Sequence, residues 1–411
     1  MSIFRILSVL VLSAAPAFAA GAEPSGLFTP YFNMSLSEGV GLPSQGNFFS
    51  GGGIDTRLGL LTKFSGSSSL FALYNLRYAG PGFQPQDARQ FQERSLDHNF
   101  NAEYRLKLDE RLTLRPGGAY TMGYRRLGAN ETWDSGLYNV NTKGGQLAAD
   151  YRIGWFEDAG LLTAQVLYRQ LRFPNYTDLL REFEGSGASS ELGAGLEDQN
   201  LTQFSARVEW RDYFGGISRS QMGYINQTVI GSDGQYSGAK QGDSSLTVDG
   251  GIRRKIGRLS LAPSLGLTFF RSDQAFLRYK FFGAAPTDIS NPSADVTLIE
   301  NAYSYNELAL SIPIQISADP DAEWTVSGGL NLTARQYSDR PPRDAQNNFQ
   351  SGRQRNLLTK LYAVFRRRLN EAATMDLTYA FIVAASNNHF ETYLPYNYTA
   401  HSFGIAYNLA F

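Results

Sequence analysis

Residues able to do covalent or acid–base chemistry are scarce in this chain. It has no cysteine, which removes thiolate nucleophiles, thiolate metal sites and disulfides together. The three histidines, His98, His389 and His401, lie far apart and lack metal-ligand spacing, so no metal and no cofactor are expected. Ser386 stands just ahead of His389, and a serine beside a histidine could cleave a lipid ester. Such partners are set by space rather than by nearness in sequence, and no GxSxG, HExxH or phosphate-loop pattern accompanies them. His389 reads as an exposed loop histidine, and no enzyme is expected.

The stronger chemical signal is basic charge recurring at every second position of short segments. Arg57, Arg77, Arg105, Arg115, Arg152, Arg169, Arg207, Arg211, Arg335 and Lys360 share the polar parity of their segments, as do Lys63, Lys107, Arg253, Lys255 and Arg366. Acids on that parity are fewer: Glu103, Asp150, Glu209, Asp249, Glu307 and Asp376. A polar wall with more cations than anions concentrates anionic solutes, because low-dielectric surroundings focus its field. The competing reading is that arginines pair with acids across strands. A one-residue slip of register would exchange the two faces throughout.

Strands must position those residues. The chain ends FGIAYNLAF, with Phe403, Ile405, Tyr407, Leu409 and Phe411 on one face and Gly404, Ala406, Asn408 and Ala410 on the other. Alternation with period two marks a strand with one apolar face. The pattern recurs upstream. His98, Phe100, Ala102, Tyr104 and Leu106 oppose Asn99, Asn101, Glu103, Arg105 and Lys107, and Phe204, Ala206, Val208 and Trp210 oppose Ser205, Arg207, Glu209 and Arg211. Leu308, Leu310, Ile312, Ile314 and Ile316 form a third apolar row. A sandwich would bury such rows against a second sheet, whereas a membrane barrel turns them to lipid. Tyr74, Tyr78, Tyr104, Tyr120, Tyr124, Tyr151, Tyr168, Trp210, Tyr379 and Tyr407 fall on the apolar parity, as interfacial girdles require. Tyr31, Phe71, Phe270 and Tyr362 fall on the polar one, where they could stack on sugars.

Composition and the N-terminus agree. Arg5, the apolar run from Ile6 to Leu12 and Ala17-Phe18-Ala19 form a signal peptide over 1–19, cleaved after Ala19. The run is too short for a membrane helix, which needs ~20 residues. Mean hydropathy is −0.29, yet Tyr (23), Phe (27) and Gly (41) are abundant, as a barrel needs when only alternate residues meet lipid. A net charge of −1 argues against nucleic acid as a partner.

Connections alternate in length. Short ones fall at 65–69, 109–110, 156–160, 214–216, 257–258, 318–323 and 370–373. Long ones fall at 37–50, 80–95, 126–135, 173–196, 231–244, 271–301, 337–352 and 387–396. The pattern predicts about sixteen antiparallel strands, short periplasmic turns, long external loops and both termini in the periplasm. A periplasmic segment over 20–26 and an up-and-down transmembrane barrel over 27–411 account for the rest, with no second domain expected. The 271–301 connection either folds inward to narrow the lumen or stays at the surface.

These features resemble bacterial outer-membrane β-barrels of porin size over the whole mature chain. A terminal Phe preceded by apolar residues at alternate positions resembles the signal that barrel-assembly machinery reads in that class. Ser386-Asn387-Asn388, Tyr393-x-x-Tyr396-x-Tyr398 and the final strand are also similar to the barrels of exopolysaccharide-export systems. The resemblance implies Gram-negative outer-membrane lipids and the assembly machinery as partners. The expected function is a porin-like channel for small hydrophilic solutes, with anions favoured. The alternative is a polysaccharide exit barrel with periplasmic export partners and inward aromatic and arginine rows along one path.

Overall fold

Alternation of this kind leaves a strand half-satisfied, because its backbone groups need partners on both edges. A closed ring supplies them, and lipid admits no open edge. The computed structural model describes residues 28–45, 49–81, 93–126, 132–155, 158–175, 198–230, 236–274, 276–279, 296–317, 323–391 and 395–411. The expected signal peptide and the 20–26 segment lie outside the described residues. All regular structure in the described residues is extended.

The strands are β1 (Phe28–Pro43), β2 (Phe49–Lys63), β3 (Ser68–Gly80), β4 (Arg94–Lys107), β5 (Leu112–Arg126), β6 (Val140–Trp155), β7 (Asp158–Arg172), β8 (Gln199–Trp210), β9 (Tyr213–Ile230) and β10 (Tyr236–Ile252). They continue as β11 (Arg254–Ile256), β12 (Leu259–Leu261), β13 (Ser264–Ser272), β14 (Phe276–Tyr279), β15 (Val296–Ile299), β16 (Tyr305–Ser317), β17 (Trp324–Tyr337), β18 (Arg355–Arg368), β19 (Ala373–Ser386) and β20 (Tyr398–Ala410). Each pairs antiparallel with its neighbour, and β1 pairs with β20 from Asn33↔Ala410 to Pro43↔Ala400, which closes the ring. Phe32 and Phe411 exchange backbone hydrogen bonds of 3.2 and 2.9 Å at that seam.

β10 and β11 form one stave, as do β12 and β13, so the barrel has sixteen staves. The second break has a plain cause: Pro263 has no N–H to give to the ladder. β14 and β15 make a separate two-stranded hairpin inside the connection from β13 to β16.

The short connections are tight. Asp109 accepts the backbone N–H groups of Arg111 and Leu112 at 2.6 and 2.7 Å, and these bonds hold its carboxyl below the usual carboxylate range. Gly257 takes φ 59° in the turn at 257–258, a conformation that disfavours any Cβ.

Three connections differ from expectation. β1 runs on to Pro43 and β2 begins at Phe49, so most of 37–50 is paired strand, Val40 lying opposite Ser50. Glycines at 39, 41 and 51–53 look like a loop in sequence, but in the structure they let backbones approach: a Cβ on Gly39 would lie 3.2 Å from the Phe403 carbonyl oxygen. The turn expected at 214–216 falls at 211–212 instead, with Phe214 to Gly216 inside β9. β10 likewise claims most of 231–244.

Register assigns the faces. Following partners around the ring from Phe403 joins Tyr379, Val40, Ile54, Tyr78 and Leu96 on one face, and Leu147, Val166 and Phe204 share that face further on. Those side chains are large, apolar and exposed: Leu147 is 53%, Val166 50% and Phe204 48% open. Among the described residues no helix is long and apolar enough to cross a membrane. A closed ring with a continuous apolar exterior and a polar interior is a transmembrane β-barrel of the bacterial outer membrane. Its seven short connections, the start of β1 and the end of β20 share one rim; the long connections share the other.

Candidate functional site

The inner wall carries the chain's charge. Of the basic residues singled out by parity, Arg57, Arg77, Arg105, Arg115, Arg152, Arg169, Arg207, Arg335 and Lys360 occupy inward register positions. Arg211 does not. It sits in the β8–β9 turn at φ 51° and lays its guanidinium over the outward Trp210 ring at 5.2 Å. A tight turn ends the alternation that the parity argument relies on, so Arg211 leaves the lumen set. The terminal row from Phe403 to Phe411 faces outward.

Many of the inward arginines are neutralised along the height of the wall. Arg115 reaches Glu103 at 3.1 Å and Asp150 at 2.8 Å. Gln146 and Thr163 donate to the same two acids. Arg57 pairs with Asp55 at 3.0 Å, Arg125 with Asp97 at 2.6 Å, Arg335 with Glu307 at 2.6 Å and Arg366 with Asp376 at 2.7 Å. Arg207 and Arg253 share Glu209. Cross-strand neighbours on one face lie close enough to make such pairs wherever opposite charges meet. Asp55, Asp97 and Arg125 escaped the sequence reading, although the same parity would have found them.

Part of what the pairs leave over lies at the short-turn rim. Lys63, Arg105 and Arg152 are inward, exposed and without an acidic partner among the described residues, whereas Lys107 acts on Asp109. Register sets Lys63 and Arg105 on either side of Ser69. Higher on the wall, Arg77, Arg169 and Lys360 also make no ion pair among the described residues.

Aromatic rings gather on the inner wall too. Tyr31 and Phe71 flank Gly59, where a Cβ would lie 3.2 Å from each ring. Beside them Phe71, Asn101, Glu103, Gln146 and Arg169 line a recess of about 180 Å³. Its floor includes Gly144, whose missing Cβ makes room for the Tyr168 carbonyl oxygen and for the Arg169 stem. Toward the long-loop rim Phe270 stacks on Tyr305 at 4.9 Å, and Tyr305 meets Tyr337 at 6.0 Å. Arg335 lies over Tyr305 at 4.1 Å and Arg340 over Tyr337 at 5.0 Å. Phe270, Tyr305 and Tyr337 are all inward by register. Only Phe270 of these three was singled out from sequence. Tyr362 also faces inward, near Lys360.

The histidine chemistry disperses. His98 and His401 face outward and meet Tyr74 and Tyr379 at 2.8 and 2.9 Å. The Ser386 hydroxyl donates to Asn356 and accepts from the Asn388 N–H, while the His389 N–H donates to the Arg343 carbonyl. The serine hydroxyl is thus engaged by asparagines. Among the described residues no cluster of His, Asp and Glu could hold a metal ion. Near Ser386 the described segments 338–354, 387–391 and 395–397 lock together: buried Asn388 accepts from the Arg343 N–H, and Glu391 accepts from the N–H groups of Tyr396 and Asn397.

No protein-family model matches the chain, and no curated protein matches it. Solved structures resemble it at low identity. A bacterial polysaccharide outer membrane secretin is 11% identical, covering 92% of this chain and 97% of its own, with a TM-score of 0.43. OmpT of Vibrio cholerae is 10% identical, covering 95% and 100%, with a TM-score of 0.45. CdiB from Acinetobacter baumannii is 10% identical, covering 92% of this chain but 60% of its own, with a TM-score of 0.47. Such distant likeness adds nothing to the barrel assignment, which stands on the closed register itself.

Proposed function

We propose that this barrel is a channel passing small hydrophilic solutes across the outer membrane, with a preference for anions set at its short-turn rim. That rim faces the periplasm in this reading, and the outward terminal row ending at Phe411 is the segment that barrel-assembly machinery takes up. The observation that carries it is the distribution of charge on the inner wall. Ion pairs neutralise many of the arginines along the wall, whereas Lys63, Arg105 and Arg152 make none where solutes cross the short-turn rim. Fixed cations in a narrow aqueous passage raise the local concentration of anions. Reconstitution in a planar bilayer tests this: a reversal potential in a salt gradient should report anions as the more permeant ions. A silent protein, or cation preference, overturns the reading.

A second reading is favoured by the ladder of Phe270, Tyr305 and Tyr337 with Arg335 and Arg340. Flat rings and guanidinium groups in sequence along one path suit a polymer of sugars or sugar acids, which would leave through the barrel with the help of periplasmic export partners. Blockade of the current by an added acidic polysaccharide from the long-loop side, abolished in Tyr305→Ala, supports this reading. Current indifferent to the polymer removes it.

A further inference from the structure

The outer face is not uniform at the level of the girdle near the long loops. On β3, β4 and β5 it carries Tyr74, Tyr78, Leu96, Phe100, Tyr120 and Tyr124. On the arc from β6 to β13 register puts Lys143, Arg219 and Arg271 outward instead. Tyr168 and neutral polar residues fill the positions between them, the latter including Gln170, Thr202 and Gln221.

Lys143 and Arg219 stand at the long-loop edge of the apolar band. Arg219 is opposite Phe204 on one side and Leu246 on the other, and Lys143 is opposite Tyr120. Both are exposed, and neither has an acidic partner among the described residues. Arg271 is held in place, donating to the carbonyls of Phe270 and Tyr305 and to Asn306. Acids at the edge of the arc are Asp198, opposite Arg172 and accepting the Phe173 N–H, and Asp273, just after β13. Neither faces Lys143 or Arg219.

A cation turned to hydrocarbon is unfavourable, and increasingly so with depth. Two of them on one arc need anions from outside the chain. A second copy of this arc would bring like charges together, which disfavours self-association there. We propose that the β6–β13 arc binds the phosphate groups of an anionic lipid in the leaflet at the long-loop end, with Lys143 and Arg219 as ligands and Arg271 above them. Lys143 lies in the backbone row of Gln170, Asn200 and Gly223, so Arg219 is three strands across and four residues along from it. At ~4.8 Å per strand and ~3.4 Å per residue the two backbone positions are about 20 Å apart, and each cation takes a phosphate group of its own.

The test uses the full barrel in detergent and native mass spectrometry, with diphosphoryl lipid A, monophosphoryl lipid A and phosphatidylcholine as probes. Each cation near a charged membrane surface contributes roughly a fivefold gain, so K143Q/R219Q should retain diphosphoryl lipid A about 25-fold more weakly. Monophosphoryl lipid A should fall between the other two lipids on the wild type, and K143R/R219K should restore binding. Heat-modifiable migration in gels shows that each variant is folded. Equal retention of lipid A by wild type and K143Q/R219Q overturns the proposal, as does equal retention of lipid A and phosphatidylcholine. Loss of an oligomer in the variant with lipid binding intact also overturns it, in favour of a second copy as the occupant.

Discussion

Neutralising Lys63, Arg105 and Arg152 together should abolish most of the anion preference while leaving the barrel folded. The three project from β2, β4 and β6 toward the short-turn rim, are exposed, and make no ion pair among the described residues. For an ion about 8 Å from one of these charges in water, Coulomb's law gives roughly 0.5 kcal/mol. At 0.15 M salt the screening length is also about 8 Å, which reduces the interaction to ~0.2 kcal/mol. An anion is favoured and a cation disfavoured by that amount, so each charge changes the permeability ratio about twofold. K63Q/R105Q/R152Q should therefore lower the anion-to-cation ratio about eightfold at 0.15 M. At 1 M salt the screening length is ~3 Å, and the same substitutions should change the ratio by less than about 1.5-fold. Reversal potentials in planar bilayers at both salt levels measure it. An unchanged ratio at 0.15 M would refute the reasoning, and an effect of equal size at 1 M would show that the substitutions act through shape rather than charge.

Arg115, unlike the rim cations, should matter for stability as well as selectivity. R115Q leaves Glu103 and Asp150 facing each other's charge with one fewer donor, so urea unfolding should show a loss of about 1–3 kcal/mol alongside a shift toward cations. Deleting Phe411 removes two backbone bonds to Phe32 and a ring contact at 5.9 Å; the unfolding midpoint should fall by an amount worth about 2–4 kcal/mol, and unchanged stability would contradict the seam. Asp344 is held below the usual carboxylate range, chiefly by the N–H and side chain of Asn348. A lowered pKa means that its contribution to loop order is complete above the ordinary carboxylate range, about 4, and is lost as pH falls through the lowered value. Amide resonances of Gln346 and Asn348 should move below about pH 4 in the wild type and be flat there in D344N.

The two faces were legible in sequence wherever both media act on one strand. β4, β5, β8, β16 and β20 alternate cleanly because hydrocarbon selects one parity and water the other, and the register around the ring agrees with the sets read from sequence. The illegible parts are those where backbone geometry decides. Glycines in β1 and β2 carry no side chain to show a parity, so paired strand looked like loop. The break at Pro263 and the turn carrying Arg211 depend on which residue ends a ladder, and composition does not show that. Ion pairing was the least visible feature. Arg115 lies twelve residues from Glu103 and thirty-five from Asp150, and only the register of three strands makes them one cluster. Counting cations against acids along the chain therefore overstated how much of the lumen's charge is free.

The same alternation imposes opposite demands on the two surfaces, and this explains where unpaired charge survives. In the lumen a cation has water, so pairing is optional, and acids recur on neighbouring strands within reach of Arg115, Arg125, Arg335 and Arg366. Cations left single there cost little, and they persist at a rim where a field can act on a solute. On the outside Lys143 and Arg219 adjoin the apolar band, and neither has an acid opposite it in the ladder. In the lipid proposal the anions of the surrounding leaflet compensate them. Lumen cations act on what passes through; exterior cations act on what surrounds the barrel. Neutralising one set should leave the other property intact, because the strand wall between them carries no side chain that reaches both faces.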